Sequence, residues 1–190
     1  MKRKDLFTGE LVRLAAFDTD VFAEATSRWA LDSEYQRLYA SDECRLWSKQ
    51  KVKGRIEKVI AVEKPDLYLF MIHTLQSDQL IGEIDLDEIQ YSHGDAFVSI
   101  GLGERDYWGK GYGTDAMRVL LGFAFTELNL RRVSLDVFGY NPRAQRSYEK
   151  AGFVVEGRMR SFVKREGKRW DMIFMGIFRE EWERRVKEAG

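Results

Sequence analysis

Three glycines alternate in the run Ser99 to Arg118, which reads S-I-G-L-G-E-R-D-Y-W-G-K-G-Y-G-T-D-A-M-R. Ile100, Gly101 and Leu102 look like the end of a strand. From Thr114 to Glu127, residues Met117, Leu120, Leu121, Ala124 and Phe125 recur at three- and four-residue steps, the spacing of one helix face. Gly109, Gly111 and Gly113 fall between strand and helix. Glycines let a backbone take positive φ angles and come close to a ligand. The first amides of a helix have no partner inside it and favour negative charge. The expected ligand of such a loop is a phosphate or diphosphate; the plain alternative is an ordinary strand-to-helix turn. The spacing is G-x-G-x-G, not the G-x-G-x-x-G of dinucleotide folds, and no G-K-[ST] triplet of a nucleoside triphosphate loop occurs.

The carboxylates are the second group able to do chemistry. In L-I-G-E-I-D-L-D-E-I (Leu80 to Ile89), Ile84 and Leu86 alternate with Glu83, Asp85 and Asp87. A strand places such a set on one face. Two or three carboxylates there attract a cation or an amine, unless the face simply meets solvent. Asp136 and Asp171 lie in two further apolar runs. Trp29, Tyr35, Tyr39 and Trp47 either line a substrate pocket or pack helices onto a sheet, and packing is the reading preferred from sequence. One cysteine and two histidines do not build a soft-metal site, so no metal is expected.

Between Trp108 and Phe153 the chain resembles the GNAT superfamily of N-acetyltransferases. That family's acetyl-coenzyme A (acetyl-CoA) motif is [QR]-x-x-G-x-[GA] on the loop, then a helix, a strand and N-x-x-A-x-x-x-Y-x-x-x-G-F. The first half is carried here by Trp108-Gly109-Lys110-Gly111-Tyr112-Gly113, with Trp108 in place of Gln or Arg. Asn141, Ala144, Tyr148, Gly152 and Phe153 carry the second half. The resemblance points to the enzymes that acetylate ribosomal-protein N-termini and to their polyamine-acetylating relatives. It implies acetyl transfer from acetyl-CoA to a primary amine. The backbone of Ile100, Gly101 and Leu102 would hold the pantetheine arm, on a strand carrying a bulge. Residues 108 to 114, from Trp108 to Thr114, with Asn141, Ala144 and Tyr148, would complete the donor site.

The resemblance makes Tyr148 the general acid for the departing thiolate. A phenol can donate without losing its own proton at neutral pH. The base stays open among Asp136, Glu83 and Asp171, and some family members use none. Asp136 occupies the place of a catalytic glutamate in some N-terminal acetyltransferases. A homodimer is implied as well. Two other functions stay open: a coenzyme A-binding or regulatory module without turnover, and a dinucleotide protein in which Asp136, about 20 residues past the loop, binds ribose.

The elements that must position these groups follow from periodicity and punctuation. Strands are expected at Glu10 to Ala15, Leu67 to Thr74, Leu80 to Ile89, Ala96 to Leu102 and Arg132 to Phe138, with a final hairpin of Phe153 to Val163 and Arg169 to Phe178. Helices are expected from Asp18 to about Ala30, from Ser48 to Val62 with Val52, Ile56, Val59 and Ile60 inward and Pro65 beyond its end, from Asn141 to Gly152, and from Glu180 to Glu188. Asn141 before Pro142 is a well-matched helix start, and Gly152 a helix stop. Asp32 to Ser48 shows no clear pattern. The sum is a mixed α/β (α+β) fold, a mostly antiparallel meander followed by one βαβ crossover, in a single domain over residues 1–190.

Bulk properties bound the reading. With 44% hydrophobic and 33% charged residues, the composition is that of a soluble globular protein, and no 18-residue apolar run suggests a membrane span. A basic start at Met1 to Lys4 without an apolar segment after it, and a lone Cys44, suit the cytoplasm. Net charge is zero, which argues against nucleic-acid binding. The charge is uneven, however. Residues 131–190 hold 15 Lys+Arg against 9 Asp+Glu, and the preceding 130 hold 16 against 22. A basic half carrying the second part of the motif suits a polyanionic cosubstrate, and an acidic half suits a cationic acceptor.

Overall fold

A computed structural model describes residues 5–60 and 66–189. Its centre is a seven-stranded sheet in the order β1-β2-β3-β4-β5-β7-β6, formed by β1 (Val12–Ala16), β2 (Tyr68–Thr74), β3 (Leu80–Gln90), β4 (Asp95–Leu102), β5 (Arg132–Phe138), β6 (Val154–Arg165) and β7 (Lys168–Phe178). Every neighbouring pair is antiparallel except β4 and β5. One crossover therefore interrupts the meander: helix α4 (Tyr112–Thr126) connects the parallel pair. A doubly wound dinucleotide fold needs several such crossovers, and this sheet has one.

Helices cover both faces. Phe22, Ala25 and Trp29 of α1 (Thr19–Trp29) and Tyr35 of α2 (Ser33–Tyr39) form one buried cluster with Met71 of β2; α3 (Lys49–Ile60) adds Ile56 to it. On the other face α4 is buried along most of its length, and Met117, Leu120, Leu121 and Ala124 have no exposed surface. Ala151 and Tyr148 of α5 (Pro142–Ala151) and Trp182 of α6 (Arg179–Ala189) pack into the same cluster. Each fully buried Leu or Ile contributes about 1.5–3 kcal/mol, so α4 is the main anchor of the crossover.

Several start and stop signals work as their chemistry requires. The Asp18 carboxylate accepts from the amides of Asp20 and Val21, both at 2.9 Å, and starts α1. Asn141 starts α5 with Pro142 in its first turn, and Gly152 ends it at φ 119°, where a side chain would be strained. Asp32 caps α2, a helix absent from the expected elements, by accepting from Glu34 and Tyr35. For α3, the inward positions Val59 and Ile60 and the stop at Pro65 lie outside the described side chains and residues; Val52 is buried as expected.

The bulge also sits elsewhere than expected. Along β4, residues Phe97 to Leu102 pair with β3 without interruption; the register shift falls between Asp87 and Gln90 of β3, where Glu88 takes φ 50°. Among the described residues no helix is long and apolar enough to cross a membrane, and no group of three His, Cys, Asp or Glu side chains could hold a metal.

Candidate active site

The glycine loop uses its three glycines differently. Gly109 and Gly111 take φ 71° and 95°, the left-handed region, and Gly111 is the N-cap of α4. A glycine cap leaves the leading amides of the helix with no competing side chain above them. Gly113 is already helical and has no positive φ. A Cβ there would meet Leu102 Cδ1 at 3.4 Å and Ser147 Oγ at 3.7 Å, an ordinary contact that would narrow the space beside the helix start. Asp115 fastens this turn from below. Its carboxylate is buried and accepts from the amides of Glu10 (3.0 and 3.1 Å), Leu11 (2.7 Å) and Val12 (3.0 Å), tying α4 to the first strand.

Beyond the loop, β4 and β5 pair only through Asp95, Ala96 and Phe97 against Arg132, Val133 and Ser134. The remainder of β4 has no β5 partner, while β5 stays paired to β7 along its whole length. The splay opens a cleft of about 470 Å³. Ile100, Gly101 and Leu102 form one wall, and Asn141, Ala144 and Tyr148 of the α5 segment form another; Trp108, Gly109, Gly111, Gly113 and Thr114 close the end. The structure thus brings eleven expected positions around one space. The Leu102 carbonyl is already engaged, since the Trp108 indole N–H donates to it at 2.7 Å. Asn141 is buried, and its Oδ1 accepts from the Ala144 amide at 3.1 Å, so that oxygen serves the helix cap.

Two expected positions point elsewhere. Lys110 is exposed and does not line the cleft; the Tyr112 ring packs edge-on against Tyr107, 4.8 Å between centroids. Four cations that the motif does not include do line it: Arg118, Arg143, Arg146 and Lys150. For the three on α5, the only signal in the sequence is the positive charge of the last third of the chain. A cleft with a glycine loop, a helix start and this many cations fits a diphosphate-bearing ligand such as coenzyme A.

Tyr148 is partly buried on α5, its ring 6.2 Å from that of Phe153. Burial, and secondarily the charge of Asp136, pushes its phenol well above the ordinary value, so it holds its proton at neutral pH. Asp136 itself is exposed on β5 and lines neither this cleft nor the cavity described next, although partial shelter on the strand raises its carboxyl. Asp171 plays a structural part, because its carboxylate accepts from the Ser161 amide at 3.0 Å, beside the register shift of the β6–β7 hairpin.

Glu83 occupies a second cavity, about 680 Å³, on the face of the sheet covered by α1, α2 and α3. That face is not a bare solvent surface, since helices partly cover it. Glu83, Asp85 and Asp87 line it together with Phe17, Phe22 and Trp47. Glu83 is 8% exposed and accepts from the Tyr39 hydroxyl at 2.7 Å. Burial raises its carboxyl to about 7 against the opposing pull of that hydrogen bond. Asp85 rises to about 8 through burial and then the charges of Asp87 and Glu83, with the Ser99 amide opposing. Tyr35 and Tyr39 line both cavities, so α2 is the partition between them. Trp29, by contrast, is packed in the core beneath Gly103, where any Cβ would collide with its ring.

Comparison with known proteins agrees with this geometry. Residues 11–154 match the family model described as an acetyltransferase (GNAT) domain. An uncharacterised N-acetyltransferase of Bacillus licheniformis, p20, is 29% identical over 113 residues, 60% of this chain and 63% of that protein. The spermidine N(1)-acetyltransferase of Vibrio cholerae is 37% identical over 90 residues, 47% of this chain and 51% of that one. In each case less than two thirds of the relative is spanned. The crystal structure of spermidine N-acetyltransferase from Vibrio cholerae in complex with CoA and spermine superposes with a TM-score of 0.78 at 25% identity, covering 90% of this chain and 98% of that one. With the family model matching well over half of the sequence, the chain belongs to the GNAT acetyltransferase family.

Proposed function

We propose that the protein is an acetyl-CoA-dependent N-acetyltransferase whose acceptor is a small cationic amine of the polyamine type. One observation carries this reading: two cavities of opposite character meet at Tyr35 and Tyr39. The first joins a glycine-capped helix start, a splayed strand pair and four cations. The second is walled by carboxylates and aromatic rings, the surroundings an ammonium ion favours. The relative solved with CoA and spermine supports the same pairing of ligands. The single sheet passing through the described elements supports reading residues 1–190 as one N-acetyltransferase domain.

Acetyl-CoA supplies the acetyl group: a C–N bond forms to the amine as the C–S bond breaks, giving an amide, the coenzyme A thiol and one released proton. The amine arrives protonated and must lose a proton before it can attack. In this reading Glu83 takes it, a role supported by its hydrogen bond to Tyr39 and by a carboxyl titrating near 7. In this reading Tyr148 gives a proton to the sulfur, a role supported by its position in the donor cleft and by a phenol that is protonated at neutral pH. The charge of Asp136 helps keep the Tyr148 phenol protonated, and Asp136, which lines neither cavity, is not the base in this reading. Mass spectrometry of products from acetyl-CoA with spermidine, spermine, amino sugars and Ala- or Ser-starting peptides tests the acceptor class. Acetylated polyamine is expected; modification of peptides alone would overturn the polyamine reading.

A further inference from the structure

Two guanidiniums approach the Trp108 ring. The Arg143 carbon Cζ lies 3.8 Å from its ring centroid and that of Arg105 lies 5.0 Å away. The two cations are in different situations. Arg105 is neutralised by Asp32 and by Glu34, whose Oε2 it meets at 2.7 Å. Arg143 is half-buried, lines the donor cleft and forms no ion pair or hydrogen bond among the described residues. Its one favourable carboxylate, Glu34, is held by Arg105. Shelter from water disfavours its charge, and Arg105 adds repulsion. A guanidinium kept in such a place, braced on an indole face, is ready for an anion that the chain itself does not provide.

The position says which anion. Trp108 immediately precedes Gly109, the first residue of the positive-φ loop, and its indole N–H is committed to the Leu102 carbonyl. The Trp108 side chain therefore has no polar group left to offer a ligand. Arg143 reaches the same place from the first turn of α5, across the cleft. Of the other lining cations, Arg118, Arg146 and Lys150 are exposed and solvated, and Arg118 already donates to the Lys150 carbonyl at 3.4 Å. We propose that Trp108 is a platform and Arg143 the diphosphate-binding residue it presents, together fixing the phosphoryl oxygens of the acyl donor at the glycine loop. This rests on the acetyl-CoA reading above. A planar fork fixed in advance loses little freedom when it pairs with a diphosphate.

The test is calorimetric binding of coenzyme A and dephospho-coenzyme A, with pantetheine measured by competition, to wild type, Arg143→Ala, Arg143→Lys and Trp108→Leu. Charge-assisted contacts of this kind predict that Arg143→Ala weakens coenzyme A and dephospho-coenzyme A alike by about tenfold or more, with pantetheine unchanged. Arg143→Lys retains the charge without the stacked plane and is expected to fall between. Trp108→Leu should lose the same phosphate-dependent affinity, and adding Arg143→Ala to it should cost little more. Unchanged coenzyme A affinity in Arg143→Ala overturns the proposal. So does an equal loss for all three ligands, which would mark a structural role. A loss confined to coenzyme A would assign the contact to the 3′-phosphate and overturn the diphosphate assignment. If wild type binds no coenzyme A, the donor reading itself falls.

Discussion

At the scale of single residues, the proposed division of labour between Glu83 and Tyr148 rests on environment. Both are sheltered, and shelter raises both; the result is a carboxylate near neutrality and a phenol that keeps its proton. Glu83→Gln keeps an oxygen for the Tyr39 hydroxyl but cannot take a proton. The rate should fall by about 10²–10⁴, with loss of the limb of the pH–rate profile near 7. The same substitution should stabilise the fold. A carboxyl raised from 4.5 to about 7 binds more protons folded than unfolded, so it costs stability as pH rises across that interval. At pH 8 the cost is on the order of 3 kcal/mol. Thermal melts should show Glu83→Gln several degrees more stable at pH 8 and equal to wild type at pH 4. A variant no more stable at pH 8 would show that Glu83 is not held in a sheltered, costly state.

At the scale of elements, the donor cleft depends on what fixes the start of α4. Asp115 collects amides from Glu10, Leu11 and Val12, so it joins the helix start to an edge strand more than a hundred residues earlier in the chain. Asp115→Ala would leave several sheltered amides without a partner. Each costs about 1–3 kcal/mol, so chemical denaturation should show a loss of several kcal/mol, with coenzyme A binding weakened as the loop loosens. An unchanged midpoint would mean water replaces the carboxylate. This latch is invisible in the sequence, because nothing local marks a partner at such a distance. The opposite holds for α5, whose Asn-Pro start and Gly stop are local signals, and for β5, whose apolar run Arg132–Phe138 coincides with the observed strand. The short helix α2 escapes a reading by periodicity, since seven residues give too few turns for a pattern to show. Its Asp32 cap is the one available sign. The expected bulge came from the family pattern and lies instead in β3, at Glu88, where no glycine announces it.

At the scale of the molecule, the uneven charge of the chain becomes a spatial arrangement. Arg143, Arg146 and Lys150 come from the basic last third and line the donor cleft; Glu83, Asp85 and Asp87 come from the acidic remainder and line the second cavity. Tyr35 and Tyr39 of α2 border both cavities, which suits the proposed transfer between a polyanionic donor and a cationic acceptor. The charge division is legible in the sequence, along with most of the donor wall. That the carboxylate face of β3 is roofed by helices is not, and that roof turns a solvent-facing strand into a cavity. Acetyl transfer through Tyr148 is tested most directly by thiol release from acetyl-CoA with spermine as acceptor, comparing wild type with Tyr148→Phe. Wild type should release thiol only with the amine present, and the variant should lose about 10²–10⁴ in kcat with coenzyme A affinity retained. Equal rates for the two proteins, or coenzyme A binding without release on any amine, would contradict this mechanism.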